Sequence, residues 1–275
     1  MFRLQESLTP QDADLLLRLR ETMASIPPAC VAYSGGVDST LVAAIAYEQQ
    51  GDRAFAVTGV SPALAPHLLE EARTQARWIG IPHRECHTHE LNDPDYTNNP
   101  TDRCYACKRE LHTQLSEIVL QSGGSQVVDG VNHDDLGDHR PGIQAAQELG
   151  VRSPLAELRI GKTSIRALSR ALGFPWWDKP AQPCLASRFP YGEGITAERL
   201  RRVGAAEAWL IARGFDRVRV RCQGLAARLE VPHDRIAELF ALSGREPLVD
   251  EIRAFGFTSV SLDLEGLVSG KLNRH

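Results

Sequence analysis

The residues best equipped for chemistry lie in one short run, Ser34-Gly35-Gly36-Val37-Asp38-Ser39-Thr40. Two hydroxyls, one carboxylate and two glycines stand together. The glycines let a backbone bend sharply and approach a ligand closely. The run is preceded by the apolar stretch 29–33 and followed by the helical stretch 41–50. That order predicts strand, tight turn and helix N-terminus. Unpaired N–H groups at the positive end of a helix dipole suit a polyphosphate.

A second set of groups follows the apolar stretch 125–129. Asp129 and Asn132, with Asp134 and Asp135 close behind, stand just past a strand end, where a phosphate-bound Mg²⁺ or a ribose would lie. Such an ion takes only one or two carboxylates from the protein. The alternative is a solvated loop capping a helix.

The cysteines divide by context. Cys104 and Cys107 form C-x-x-C at the start of a helical stretch, a setting that lowers thiol pKa values and suits redox work or metal binding. Cys184 lies in the proline- and aromatic-rich segment 174–192, too proline-rich for a helix and too aromatic for a free linker. Long irregular loops in compact domains are usually functional. With Ser187 and Arg188 close behind, Cys184 reads as an exposed thiol beside positive charge. Cys30 and Cys222 sit in apolar strand patterns and read as core. His83, Glu85, His87 and His89 alternate along one strand face. A metal could use that face, but the simpler reading is a solvated strand edge.

These residues need a scaffold. Helices are expected at 11–26, 66–79, 104–120 and 163–172, with another from Arg140-Pro141-Gly142 to Gly150. Strands are expected at 54–60, 83–89 and 125–129, with Ser153-Pro154-Leu155 as the end of the last strand. The β-α-β rhythm implies a parallel sheet with right-handed crossovers, and ligands then bind beyond the carboxyl ends of the strands. From Thr196 the pattern changes. A helix at 196–213 precedes strands at 217–222 and 227–231, helices at 234–242 and 246–255, and a strand at 258–263. Arg217, Arg219 and Arg221 share one strand face. They suit a phosphate or carboxylate, unless the face is simply solvated. The fold expected is α/β: a Rossmann-like nucleotide domain over 1–190 and a small α+β domain over 191–275 for substrate or oligomerisation.

Composition narrows the function further. A net charge of −4 gives no broad nucleic-acid surface, and no apolar run spans a membrane. The N-terminus has no apolar signal core, so a cytoplasmic protein with six reduced cysteines is expected.

The first motif resembles the pyrophosphate loop of the PP-loop ATP pyrophosphatases, which adenylylate a substrate; no Walker lysine follows it. Taken with D-R-C-Y-A-C-K, D-G-V-N-H-D-D-L-G-D-H-R-P-G, K-P-A-Q-P-C-L-A-S-R-F-P-Y-G-E-G-I-T and D-L-E-G-L-V-S-G-K-L-N-R, the chain resembles the LarE family over nearly its whole length. These are sulfur transferases of nickel-pincer nucleotide cofactor synthesis. The resemblance implies ATP and Mg²⁺ as cofactors and a pyridinium dicarboxylate mononucleotide as substrate. A carboxylate of that substrate is adenylylated and then converted to a thiocarboxylate. The residues expected to bind ATP are Ser34, Gly35, Gly36, Val37, Asp38 and Ser39 of the loop, with Asp129 and Asn132 from the strand end, and those expected in catalysis are Asp38 and Cys184, the match to the family's sulfur donor. Ser187, Arg188, Arg219 and Arg221 are expected to bind substrate, with Arg219 and Arg221 gripping its phosphate or an anion at a subunit interface. Sulfur comes either from a sacrificed Cys184 or from a [4Fe–4S] cluster held by Cys104, Cys107 and Cys184, the type this set of cysteines resembles. Three thiolates leave one iron open for sulfide. The family also implies a homo-oligomer. Rival readings are a tRNA thiolase, which would need a basic surface, and an amidating synthetase, for which the 33 residues before Ser34 hold no glutaminase domain and Cys184 no role. A nucleotide-binding regulator without catalysis is a third.

Overall fold

The structure is a computed structural model that describes residues 2–137, 141–244, 247–268 and 270–271. The chain forms two compact units. The first comprises Met1–Ser61, Pro66–Glu90 and Asp102–Gln182; the second comprises Pro62–Ala65, Leu91–Thr101 and Pro183–His275.

In chain order the elements up to residue 171 are α1 (Pro10–Ser25), β1 (Ala29–Ala32), α2 (Val37–Gln50), β2 (Phe55–Val60), α3 (Pro66–Ile79), β3 (His83–His87), α4 (Pro94–Thr97), α5 (Arg103–Gln121), β4 (Gln126–Val128), α6 (Pro141–Glu148), α7 (Pro154–Glu157) and α8 (Lys162–Ala171). All but α4 belong to the first unit. Its sheet is fully parallel in the order β3-β2-β1-β4, with Val31 paired to Ala56 on one side and Val128 on the other. β1 is buried along its whole length, which is why it reads as an uninterrupted apolar run rather than an alternating one. α2 is apolar nearly all round because Val37, Leu41, Val42 and the alanines 43, 44 and 46 are all buried in the same core. α1 starts at a Thr9 cap, whose hydroxyl accepts from the Asp12 amide at 3.1 Å, and buries Leu15, Leu16, Leu19 and Met23.

Strand order reverses between β1 and β4. In open parallel sheets the ligand crevice lies at such a switch, beyond the carboxyl ends of the two strands. Ser34 follows β1 and Asp129 follows β4.

Ser153-Pro154-Leu155 departs from expectation. The backbone meets the sheet only as an isolated parallel bridge between Val128 and Arg152. Pro154 then opens α7, because a proline lacks the N–H a strand needs but fits the first turn of a helix.

The remaining elements are α9 (Ala197–Ile211), β5 (Arg219–Gln223), β6 (Ala226–Glu230), α10 (Ile236–Ser243), α11 (Leu248–Ala254) and β7 (Ser259–Leu262). β5 and β6 are antiparallel, while β6 and β7 are parallel, giving a small mixed sheet. Residues 233–235 form a 3₁₀ turn ahead of α10, where the sequence suggests α-helix. The expected starts at Arg140 and Glu246, and parts of the D-G-V-N and D-L-E-G strings, lie outside the described residues.

Candidate functional site

The Ser34 loop closes on itself. The hydroxyls of Ser34 and Ser39 lie 3.2 Å apart, the Gly36 amide donates to Ser34 Oγ at 3.3 Å, and Ser39 Oγ donates to the Gly36 carbonyl at 3.1 Å. Gly35 has a left-handed φ of 67°, and a Cβ there would stand 3.1 Å from the Ala72 backbone of α3. Both facts require glycine. Gly36 caps α2 without a side-chain hydrogen bond. No cap side chain engages the first turn of this fourteen-residue helix, though the Asp38 amide meets its own carboxylate, and a helix end of this kind suits an anion.

Gly130 brings the second motif to the same helix end. A Cβ there would fall 2.6 Å from the Ser39 amide nitrogen and 2.8 Å from Ser39 Cα. Only glycine lets the β4 loop pass so close to the first turn of α2.

The charged groups follow from that contact. Asp38, in the first turn of α2, is gripped by Lys162 Nζ at 2.8 and 2.7 Å. Burial pushes the Asp38 carboxyl above its ordinary range, and Lys162 opposes that push. Asp129 is buried and pushed up for the same reason. It is opposed by Ser153 Oγ, which donates at 2.7 Å, and by the charge of Lys108. Asp135 acts electrostatically on both Asp38 and Asp129. Two desolvated carboxylates suit a phosphate-bound Mg²⁺, which asks for one or two. Asn132 is differently placed: its Oδ1 accepts from the amides of Asp134 (2.9 Å) and Asp135 (3.3 Å), so it shapes the loop. Lys179 Nζ donates to the Gly35 carbonyl at 3.1 Å and pairs with Glu71.

Lys162 and Lys179 were not legible as site residues. Lys162 had one faint signal, its place at a helix start after Gly161. Lys179 had only its place in the irregular segment.

The thiols sort cleanly by burial. Cys30, Cys86 and Cys222 are buried, and burial holds each thiol above its ordinary pKa, Cys30 at about 12. Cys104 and Cys184 are exposed and Cys107 is intermediate. Cys104 and Cys107 open α5 in the first unit, and Cys184 lies in the second. Among the described residues, no three His, Cys, Asp or Glu side chains are gathered so as to hold a metal ion. On β3, His83 Nε2 lies 2.8 Å from Thr58 Oγ1, and Glu85 is paired with Arg73 at 2.7 Å, so that face is engaged internally.

The arginines of the second unit are less available than their alternation suggests. Arg188 is buried and forks onto Glu207 at 2.8 and 2.9 Å. Arg221 is buried, donating to Glu230 Oε2 at 3.0 Å and to the Ser187 carbonyl at 2.7 Å. Arg219 is half-buried, and burial followed by the charges of Arg221 and Arg188 depresses its pKa. That positive cluster lies beside a cavity of about 280 Å³ lined by Arg188, Arg221, Arg228 and Ser261.

The chain is similar in sequence to known proteins. The asparagine synthase family matches residues 15–102, the stretch containing the Ser34 loop. The chain is 36% identical over 244 residues to pyridinium-3,5-bisthiocarboxylic acid mononucleotide synthase of Lactiplantibacillus plantarum, covering 88% of each chain. The chain belongs to the LarE family. Two further relatives are an uncharacterized Synechocystis protein, 54% identical over 94% of this chain and 97% of its own, and one from Methanocaldococcus jannaschii, 27% identical over 86% and 88%. The LarE assignment accounts for the PP-loop geometry at Ser34–Ser39 and makes this an ATP-dependent sulfur-transferring enzyme. Among the described residues of this LarE protein, no helix is long and apolar enough to cross a membrane.

Proposed function

We propose that the protein adenylylates a carboxylate of a pyridinium dicarboxylate mononucleotide and converts it to a thiocarboxylate, with sulfur delivered at Cys184. The observation that carries this is the uncapped, glycine-shaped N-terminus of α2 with Asp38 and Lys162 beside it. Asp38 and Asp129 would hold the Mg²⁺ that screens the phosphates when ATP is bound.

A carboxylate oxygen of the substrate attacks the α-phosphorus, and the bond from that phosphorus to the bridging oxygen breaks. Pyrophosphate leaves with the electron pair. The α2 amides, Lys162 and Lys179 face the charge that develops on it. The Cys184 thiolate then attacks the acyl carbon and AMP departs, leaving a thioester. Loss of the Cys184 α-proton and cleavage of its Cβ–S bond release the thiocarboxylate and leave dehydroalanine. Arg219 is the guanidinium chosen to grip the mononucleotide phosphate: it is half-buried beside Arg221 and Arg188, and the charges of Glu230 and Glu207 offset that burial and repulsion only in part. Self-association is part of the proposal, with exposed Phe240 on α10 and Val249 on α11 as its apolar surface.

A cluster route has one observation in its favour: the three thiols it needs are the three not buried in the core. Cys104 and Cys107 belong to the first unit and Cys184 to the second, and no step is routed through a cluster. Such a group would supply a sulfide on its open iron.

The test is pyrophosphate release with ATP, Mg²⁺ and the pyridinium dicarboxylate mononucleotide. Release that depends on this substrate, and persists in Cys184→Ser without thiocarboxylate, supports the proposal. ATP binding with no release would leave a nucleotide-binding regulator, and a salt-sensitive complex with tRNA would favour the thiolase.

A further inference from the structure

Cys184 is exposed, yet the segment carrying it is pinned at both ends by residues distant in sequence. The Leu185 amide donates to the Ala63 carbonyl at 2.9 Å. Arg188 directs Nε and one terminal nitrogen at Glu207, itself held by the Val220 amide at 2.9 Å. Its other terminal nitrogen donates to the carbonyls of Pro183 (2.9 Å) and Cys184 (3.3 Å) and to Ser187 Oγ (2.8 Å). Farther along, Asn99 Nδ2 donates to the Pro190 carbonyl at 2.7 Å. The Gly192 amide donates to the Asn99 carbonyl at 2.9 Å, and the Ile195 amide to that of Thr97 at 2.7 Å.

Asn99 is an unusual residue to find there. It is fully buried, its φ is +54°, and its Oδ1 accepts no hydrogen bond among the described residues. A left-handed non-glycine residue and an orphaned buried acceptor both cost free energy, and such strain tends to sit where function requires it. What Asn99 provides in return is the latch on Pro190 and Gly192.

We infer that Asn99 and Arg188 are positioning residues for the Cys184 thiol. Arg188 fixes the backbone at the cysteine itself, and Asn99 fixes the far end of the same loop. The inference rests on the reading that Cys184 delivers sulfur. Attack on an acyl carbon needs the sulfur placed to within a fraction of an ångström, and a thiol on an unpinned irregular loop would be scattered over several. In these contacts Glu207, two carbonyls and the Ser187 hydroxyl engage the Arg188 guanidinium.

Two variants test this. Arg188→Lys keeps a charge against Glu207, but one ammonium cannot span the carboxylate and both carbonyls. Asn99→Gly accepts the left-handed backbone without strain, keeps the carbonyl that holds the Gly192 amide, and removes the side-chain bond to the Pro190 carbonyl. Alkylation by iodoacetamide is followed at Cys184, Cys104 and Cys107 in one sample by peptide mass spectrometry. The expected result is several-fold faster labelling of Cys184 in both variants with the other two thiols unchanged. In Asn99→Gly, thiocarboxylate formation falls by roughly 10- to 100-fold while pyrophosphate release holds. Wild-type labelling of Cys184 in folded Asn99→Gly, a common shift in all three thiols, or an equal fall in pyrophosphate release would overturn the inference. If Arg188→Lys does not fold, Asn99→Gly decides alone. Thiocarboxylate made by Cys184→Ser would sink the sulfur reading instead, and the labelling rates would still report on the clamp.

Discussion

The Lys162 ammonium stands within 2.8 Å of both Asp38 carboxylate oxygens, across 124 residues of sequence. The contact ties the start of α8 to the first turn of α2. It sets a cation beside the loop from which pyrophosphate departs in the proposed reaction. A charge-stabilising group aimed at a transition state is worth about 10²- to 10³-fold in rate. Lys162→Met is expected to lower substrate-dependent pyrophosphate release by roughly two orders of magnitude. A decrease of less than about twofold would remove Lys162 from the site.

Gly130 is expected to tolerate no side chain. In Gly130→Ala the new methyl meets the Ser39 backbone, not a side chain that can swing away. The β4 loop must then retreat from α2, carrying Asp129 with it. ATP affinity, measured calorimetrically with Mg²⁺ present, should fall at least tenfold while the far-ultraviolet dichroism stays native. Wild-type affinity would mean that the close approach does not matter to nucleotide binding.

His112 on α5 gives a pH signature. It is fully buried, and neither ring nitrogen has a hydrogen-bond partner among the described residues. Burial, with Lys108 adding to it, lowers its pKa from the ordinary 6.5 to about 3. The unfolded chain therefore binds a proton below pH 6.5 that the native state refuses. This group leaves stability unchanged above that pH and removes it progressively as pH falls from 6.5 toward 3. The limit is one proton, about 1.4 kcal/mol per pH unit. Urea midpoints of wild type and His112→Leu across pH 4–8 should diverge only below about 6.5, with wild type losing more. Parallel curves would show that His112 does not titrate this way.

The parallel sheet, the glycine turn and the helix after it were legible because each is a local pattern: an apolar run, paired glycines, a 3.6-residue repeat. So were the buried Cys30 and Cys222, each within an apolar strand pattern. The pairing of Asp38 with Lys162 was not, since no periodicity reaches across 124 residues. Nor was the state of Arg221. Strict alternation placed it on a charged strand face, but its burial against Glu230 depends on β6 supplying that carboxylate from the neighbouring strand. The engagement of Asn132 and the course of Ser153-Pro154-Leu155 were not legible, for local reasons. An Asx side chain captured its own loop amides, and a proline ended a strand that composition alone would continue.

The central claim is that sulfur reaches the substrate at Cys184. Its most direct test is the intact mass of anaerobically purified protein before and after turnover with ATP, Mg²⁺ and the pyridinium dicarboxylate mononucleotide, with iron assayed on the same sample. The account predicts a loss equal to one hydrogen sulfide per chain, mapped to Cys184 as dehydroalanine. Thiocarboxylate formed while Cys184 keeps its mass would contradict it, and iron bound in that sample would pass the role to a cluster on Cys104, Cys107 and Cys184.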